Sequence, residues 1–264
     1  MSMRALVWSC LLGAVPAQEP APAPAEVVPA APQAEKWEIK APDNPWYDAA
    51  KLADAVKVLR PLVEKHAGLT FRKDPVVRIA DERSWARVVG EEQPGAKDPA
   101  LAVAITHAHY LPDRDEVVLS TEVGWRLLAW QGEGQLLARA TLGHELAHVL
   151  AQQHFALVTR MRAEKERDKK WVLRAMNEGF ACFVELRLAA NELGLEQYAE
   201  RLTKMHERNA RMEYVRGRQF CAVLAAEGGD AAVHEALKKE PLSLAEFVKV
   251  ALKKPAKPAK DAGK

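Results

Sequence analysis

The stretch from Gln135 to about Ala151 constrains the fold more than any other part of the chain. Its apolar residues cover every side of a helix, at positions 136, 137, 140, 142, 146, 147, 149 and 150. A helix of this kind is expected in the centre of a domain, covered by other elements on all sides. The same stretch carries His144, Glu145 and His148, and polar groups without partners are costly to bury. The chain must therefore supply partners for these side chains.

The motif His144-Glu145-Leu146-Ala147-His148 indicates a metal site. The two histidines are four residues apart, so both imidazoles project from one helix face and can share one ion. Zinc accepts neutral imidazole nitrogens, and a catalytic zinc site takes about three ligands from the protein. Glu145 is rotated about a quarter turn from His144, where its carboxylate can act as general base toward a water. We expect zinc bound by His144 and His148, and a third ligand elsewhere.

One candidate for the third ligand is Glu178. Residues 177–181, Asn-Glu-Gly-Phe-Ala, resemble the third-ligand motif of the gluzincins, the zinc peptidases that coordinate zinc with two His and one Glu. Aminopeptidase-N-like enzymes and minigluzincins share this motif. The resemblance implies that Glu178 completes the ligand set and that Glu145 is the catalytic base. Glu185 also matches the family pattern, and it could accept a hydrogen bond from a ligand histidine.

A second block extends the resemblance to the gluzincins. Tyr214 to Phe220 resembles the helix with the pattern Y-x-x-G that follows the zinc ligands in this family. In aminopeptidase-N-like members this tyrosine donates a hydrogen bond to the oxyanion of the tetrahedral intermediate. The resemblance therefore implies a catalytic role for Tyr214, since a donor aimed at developing charge acts mainly in the transition state. The match spans Gln135 to about Gly228.

The other candidate for the third ligand is His154. It stands at the third-histidine spacing of the metzincin pattern H-E-x-x-H-x-x-G-x-x-H. That pattern needs Gly, where the backbone leaves the helix with positive φ, but this chain has Ala151. If the helix continues, the side chain of His154 points about 120° away from that of His148. We favour Glu178 and keep the metzincin-type peptidase as an alternative.

The resemblance implies an α+β, thermolysin-like zincin domain over residues 37–252, with a small mixed sheet whose edge strand lies beside the buried active-site helix. Residues 37–134 are expected to form a strand-rich part and residues 135–252 a helical part. Strands are predicted at Val76–Ile79, Leu101–Thr106 and Glu116–Ser120. We expect the last of these to be the edge strand that holds the substrate backbone.

Both ends of the chain are predicted to lie outside the folded domain. Residues 1–17 have the short basic and apolar regions of a signal peptide. Residues 18–36 are an Ala/Pro-rich linker, and residues 253–264 are a basic, low-complexity tail that we expect to be disordered. We therefore expect an exported protein, either secreted or retained in the periplasm or cell envelope. A lipoprotein anchor at Cys10 is disfavoured, because the apolar run before it is short.

Composition limits the partners of this protein. The formal net charge is +2, and the sequence has no stripe of basic residues with interleaved aromatic residues, so nothing in it indicates nucleic acid binding. No segment after the signal peptide is apolar enough to span a membrane. After cleavage Cys182 and Cys221 remain, either as one disulfide or as two free thiols.

The sequence predicts an exported zinc metallopeptidase with peptide or protein substrates. Endopeptidase action is favoured, because the chain has no segment like G-A-M-E-N, with which aminopeptidases hold a free N-terminus. A zinc-stabilised binding module without catalysis is the alternative from another class of proteins. The presence of Glu145 argues against it, because a purely structural zinc site has no use for a general base.

Overall fold

The computed structural model describes residues 37–93, 96–208 and 211–253. The predicted signal peptide, the linker and residues 254–264 of the tail lie outside them. From Glu38 onward the chain forms one compact unit. Its elements are α1 (Ala49–Ala67), β1 (Val76–Ile79), α2 (Glu82–Glu92), α3 (Pro99–Ile105), β2 (Ala108–Leu111), β3 (Glu116–Leu119), α4 (Thr121–Leu128), α5 (Glu133–Phe155), α6 (Leu157–Ala163), α7 (Arg167–Asn191), α8 (Tyr198–Arg208), α9 (Met212–Lys238, kinked at Gly228 and Gly229) and α10 (Leu244–Ala251).

The predicted α+β class is confirmed, with most described residues in helices and a small mixed sheet. All strands in the described ranges precede residue 134. The first part of the chain also holds α1 to α4, so it is mixed rather than strand-rich. No helix in the described ranges has both the length and the apolar character needed to cross a membrane.

The sheet has the strand order β1-β3-β2. Strand β1 pairs with β3 in parallel, and β2 pairs with β3 in antiparallel. The prediction that Glu116–Ser120 forms the edge strand is wrong, because β3 lies between the other two strands. Strand β2 is the edge strand that packs against α5. Strand order depends on contacts between distant segments, which the local pattern of β3 does not contain.

The strand predicted at Leu101–Thr106 is also wrong, because Pro99–Ile105 forms helix α3. The Asp98 side chain accepts a hydrogen bond from the backbone N–H of Leu101 at 2.9 Å and so caps the helix. Pro99 follows in the first turn, where its missing N–H costs nothing. The strand begins only at Ala108. The apolar run before it is helical, because the helix-start signal at Asp98 and Pro99 outweighs the β propensity of a short apolar run.

Helix α5 confirms the central buried helix predicted from the sequence. Helices α1, α4 and α7 and strand β2 all pack against it. The side chains of Leu142, Leu146 and Leu150 are completely buried. His144 and His148 are also buried, at 9% and 6% exposure. Packing from several directions therefore leaves both imidazoles dependent on partners from other helices.

Helices α7 and α9 cross at Gly179 and Gly217 with their backbones in contact. A Cβ atom on Gly217 would lie 1.8 Å from the carbonyl oxygen of Ala175, which is far inside van der Waals contact. A Cβ atom on Gly179 would lie 2.1 Å from the carbonyl carbon of Gly217. The close approach therefore requires glycine at both positions. Because Glu178 precedes Gly179 and Tyr214 lies one turn before Gly217, the crossing brings these two side chains to the same region.

Candidate metal centre

Three side chains from two helices converge at the middle of α5. The Nε2 atoms of His144 and His148 lie 3.1 Å apart. The Oε2 atom of Glu178, on α7, lies 3.6 Å from Nε2 of His144 and 3.5 Å from Nε2 of His148. The three side chains are only 11%, 8% and 14% exposed. The structure thus brings together the three residues that the gluzincin resemblance implied as ligands.

The spacing of these three atoms fits a tetrahedral metal ion. An ion bound tetrahedrally at 2.0–2.2 Å by nitrogen and oxygen holds its ligand atoms about 3.3–3.6 Å apart, close to the 3.1, 3.5 and 3.6 Å found here. The Oε2 atom of Glu178 is buried and has no hydrogen-bond partner in the described part of the chain. A buried carboxylate oxygen of this kind needs compensation. The arrangement can therefore hold a metal ion, which would occupy the point toward which all three atoms face.

Charge coupling within the cluster also favours a cation. Burial raises the pKa of Glu178, but the nearby imidazoles of His148 and His144 lower it well below its usual value. Burial lowers the pKa of His144, but the Glu185 carboxylate and hydrogen bonds raise it well above its usual value. Glu178 is therefore ionised, and positive charge at His144 compensates it. A metal ion competes with protons for the same nitrogen atoms.

The imidazole of His144 has a second partner behind the ligand cluster. Its Nδ1 atom lies 2.9 Å from Oε2 of Glu185, which is 4% exposed. With a metal ion at Nε2, the Nδ1 atom would carry the ring proton and donate a hydrogen bond to this carboxylate. Such a partner fixes both the tautomer and the ring orientation of a ligand histidine. Glu185 thus contacts one of the two histidines of the motif, as the sequence predicted.

Sequence reasoning missed Tyr198, which extends this network by one hydrogen bond. Its hydroxyl group, at the start of α8, donates to Oε1 of Glu185 at 2.8 Å. Burial and the Glu185 charge raise the pKa of Tyr198, so the hydroxyl keeps its proton. Tyr198 therefore holds the carboxylate that orients His144. No motif marks it, because its position depends on the turn between α7 and α8.

We expect Tyr198→Phe to weaken metal binding by about 10- to 100-fold, the usual cost of losing an outer hydrogen bond at a metal site. Competition with a chromogenic chelator measures the affinity. Tyr47→Phe is the matched control, because the Tyr47 ring packs against Trp46 and does not line the metal cavity. Equal affinities in the two variants would contradict a role for Tyr198 in holding Glu185.

The three candidate ligands line a cavity of about 1120 Å³ that Glu145 and Tyr214 also line. The Tyr214 ring stacks parallel to the imidazole of His144, with centroids 6.3 Å apart. Burial and the Glu178 charge raise the pKa of Tyr214 well above its usual value. Its hydroxyl group therefore stays protonated and is available as a hydrogen-bond donor. The structure places both predicted catalytic residues at the wall of the cavity that holds the ligands.

His206 is a further cavity residue that sequence reasoning missed. Its ring lies 4.5 Å from the ring of Tyr214 and is buried. Burial lowers the pKa of His206 to about 4, against an opposing effect of the Glu185 charge. The imidazole is therefore neutral at physiological pH. It packs on the face of Tyr214 and restricts the position of that ring.

His154 does not join the cluster. Helix α5 continues through Ala151 to Phe155, so the backbone does not turn back toward the ligands. The Nε2 atom of His154 instead makes a 2.8 Å hydrogen bond with the carbonyl oxygen of Thr70. The arrangement needed for a metzincin-type third ligand is therefore not formed in this structure.

The two cysteines are free and buried, so they do not form the disulfide left open by the sequence. Cys182 lies beside His144 and Glu185, and these three side chains form a second group with metal-binding distances. Burial raises the pKa of Cys182 to about 11, so the thiol resists the loss of the proton that metal binding requires. The Nδ1 atom of His144 is also engaged by Glu185. The first group is the better metal site.

Two imidazole nitrogens and one carboxylate oxygen share a binding point, and a carboxylate and a phenol line the same cavity. Comparisons with models of protein families, with characterised proteins and with solved structures found no match for this chain.

Proposed function

We propose that this protein is a zinc-dependent peptidase of the gluzincin type, with the active site of a thermolysin-like zincin domain. The observation that carries the proposal is the convergence of His144, His148 and Glu178 at the wall of an open cavity. Glu145 follows the first ligand on the same helix and lines the same cavity. This combination is typical of a metal site that activates water.

The donor set supports zinc as the ion. Two imidazole nitrogens and one carboxylate oxygen are the ligands of catalytic zinc sites that keep a fourth position open. Within the described residues, three side chains meet at this point, and the fourth coordination position of an ion bound there would face the cavity. Zinc bound here would supply a Lewis acid that lowers the pKa of water toward neutrality and polarises a carbonyl group.

Residues of the chain would perform the proton transfers and stabilise the oxyanion. Glu145 accepts a proton from the attacking water and later passes a proton to the leaving amine. Tyr214 donates its hydroxyl proton in a hydrogen bond to the oxyanion that develops from the substrate carbonyl. Glu185 and Tyr198 hold the first ligand in its orientation.

The free edge of β2 supports an extended peptide as substrate. The backbone N–H of Ser120 donates to the carbonyl oxygen of His107 at 2.9 Å, so this pair is hydrogen-bonded across the sheet. Because such pairs alternate along an antiparallel ladder, the backbone groups of Ala108 and Tyr110 point away from β3. Both residues line the cavity. An extended peptide can therefore pair with β2 beside the ligands.

The cavity extends to both sides of Glu178, which supports endopeptidase action. Helix α10 packs near Trp171, whose ring lies 6.0 Å from that of Phe247. Helix α8 packs near Glu185, at the other end of α7. Side chains from both α8 and α10 line the cavity. A peptide chain could therefore continue past the ligands in both directions.

Removal of the metal should abolish hydrolysis of a denatured protein mixture, and added Zn²⁺ should restore it. The reason is that Glu145 alone cannot make water a sufficient nucleophile at neutral pH. The activity of chelator-treated protein, with and without Zn²⁺, is measured from the release of new amino termini. Mg²⁺ serves as the control ion. Hydrolysis that persists unchanged in the metal-free protein would overturn the proposal. Zinc binding without any hydrolysis would favour the silent binding module.

A further inference from the structure

The cavity around the metal centre is lined by side chains of predominantly positive charge. Six cationic side chains line it: Arg126, Arg167, Lys170, Arg174, Arg211 and Arg216. Outside the metal centre, the acidic side chains among the described lining residues are Glu92 and Asp168. A divalent ion bound at the metal centre would compensate most of the charge of its three carboxylates, Glu145, Glu178 and Glu185. The cavity walls therefore carry an excess of positive charge, although the whole chain has a net charge of only +2.

Half of these cations form a stripe on α7 that leads to the ligand Glu178. Arg167, Lys170 and Arg174 precede Glu178 by eleven, eight and four residues, so all four share one helix face. The stripe extends about 16 Å along the helix axis, which corresponds to about five residues of an extended peptide. Side chains of a bound peptide would therefore pass these cations within a few residues of the scissile bond.

Ion pairs within the described residues neutralise little of the charge of the three cations on α7. Arg167 and Lys170 are exposed, and neither has an ion-pair partner in the described ranges. Arg174 lies 3.9 Å from the carboxylate of Glu213, but its side chain is 59% exposed, so this contact is weak. The cations on α7 are therefore available to a ligand in the cavity.

Arg211 adds positive charge to the cavity outside α7. Burial lowers the pKa of His107, just before β2, and the charges of Arg126 and Arg211 add to this effect against Glu122. Arg126 is paired with Glu122, whereas the Arg211 guanidinium lies over the ring of Tyr214, 5.5 Å from its centroid. Arg211 thus presents its charge beside the predicted oxyanion donor.

We propose that the cavity selects peptides with acidic side chains, and that Arg167 and Lys170 contribute most to this selection. The inference rests on the proposed peptidase function and adds its substrate class. A cleft lined by one sign of charge, with protein walls of low dielectric constant, concentrates ligands of the opposite sign. Complementary charge gives specificity even where each exposed contact is weak. Basic peptides are disfavoured by the same field.

Binding tests this proposal separately from hydrolysis. The Glu145→Gln variant loaded with Zn²⁺ is titrated with fluorescent peptides that differ only in three consecutive positions, all Asp, all Asn or all Lys. We expect the Asp peptide to bind about tenfold more tightly than the Asn peptide at low salt, and the Lys peptide to bind least. The preference should shrink at about 0.5 M salt, where screening is strong. Equal affinities for the Asp and Asn peptides at low salt would overturn the proposal.

Charge reversal in the same background locates the preference. Arg167→Glu combined with Lys170→Glu should abolish the preference for the Asp peptide. Lys57→Glu combined with Arg83→Glu makes the same change in net charge at exposed positions that do not line the cavity, and should leave the preference intact. Loss of the preference in both double variants, or in neither, would contradict the assignment to α7. Hydrolysis of these peptides by the wild-type protein is assessed independently and bears on the proposed function alone.

Discussion

Replacing Glu145 with Gln should lower kcat for peptide hydrolysis by about a thousandfold, in the range typical of a lost general base. Glutamine has nearly the same size and keeps one carbonyl oxygen, but it cannot accept the proton from the attacking water. The zinc content should remain that of the wild-type protein, because Glu145 is not among the three side chains that converge as ligands. Steady-state kinetics on a fluorogenic peptide and metal analysis of the same samples measure both quantities.

Glu92→Gln is the matched control for this substitution. Glu92 also lines the cavity, and its carboxylate lies 3.8 Å from the guanidinium of Arg162. This variant should change kcat by less than about twofold, since only a carboxylate that transfers the proton contributes to the chemical step. A Glu145→Gln variant with full zinc content and wild-type kcat would remove Glu145 from the mechanism. It would also remove the strongest reason to regard the site as catalytic.

Replacing Glu178 with Ala should weaken zinc binding by more than about 100-fold. Loss of a residue that only hydrogen-bonds to a ligand already costs up to about 100-fold, and the loss of a direct ligand should cost more. The substitution leaves two protein ligands, His144 and His148, which cannot complete a catalytic zinc site on their own. His154→Ala should retain zinc, because its imidazole bonds to the carbonyl oxygen of Thr70 instead of facing the ligands. The two variants therefore separate the two ligand sets that the sequence left open.

Zinc stoichiometry and affinity of both variants are measured on purified protein, with circular dichroism to verify that each variant is folded. Loss of zinc in Glu178→Ala and retention in His154→Ala is the expected result. The opposite pattern would show that His154 is the third ligand and that α5 ends differently when metal is bound. Retention of zinc in both would require a ligand outside this cluster.

Local periodicity predicts those parts of the site that lie on one helix. The spacing of His144 and His148 places both imidazoles on one face, and the all-round apolar pattern of α5 predicts its burial. Glu178 cannot be found in this way, because it lies on another helix and its side chain is only one of many carboxylates. The resemblance of residues 177–181 to a known motif identified it. The structure then brought its carboxylate within 3.6 Å of both imidazoles.

Features set by contacts between distant segments were missed or predicted wrongly. The hydrogen bond from Tyr198 to Glu185 depends on the turn after α7, which no sequence pattern specifies. The edge position of β2 depends on strand order rather than on the composition of either strand.

Helix α3 could have been recognised from the sequence, because Asp98 and Pro99 form a local helix-start signal that outweighs a short apolar run.

The glycine contact between α7 and α9 has a consequence for how the metal enters. Backbone contact at Gly179 and Gly217 holds the two helices close together, so the position of Glu178 is set by helix packing rather than by a loop. In zinc fingers, by contrast, the free energy of metal binding is spent on folding the chain. Here the three candidate ligands lie on packed helices, so we expect little of the binding free energy to be spent on folding. The holoprotein and the metal-free protein should then share one backbone conformation.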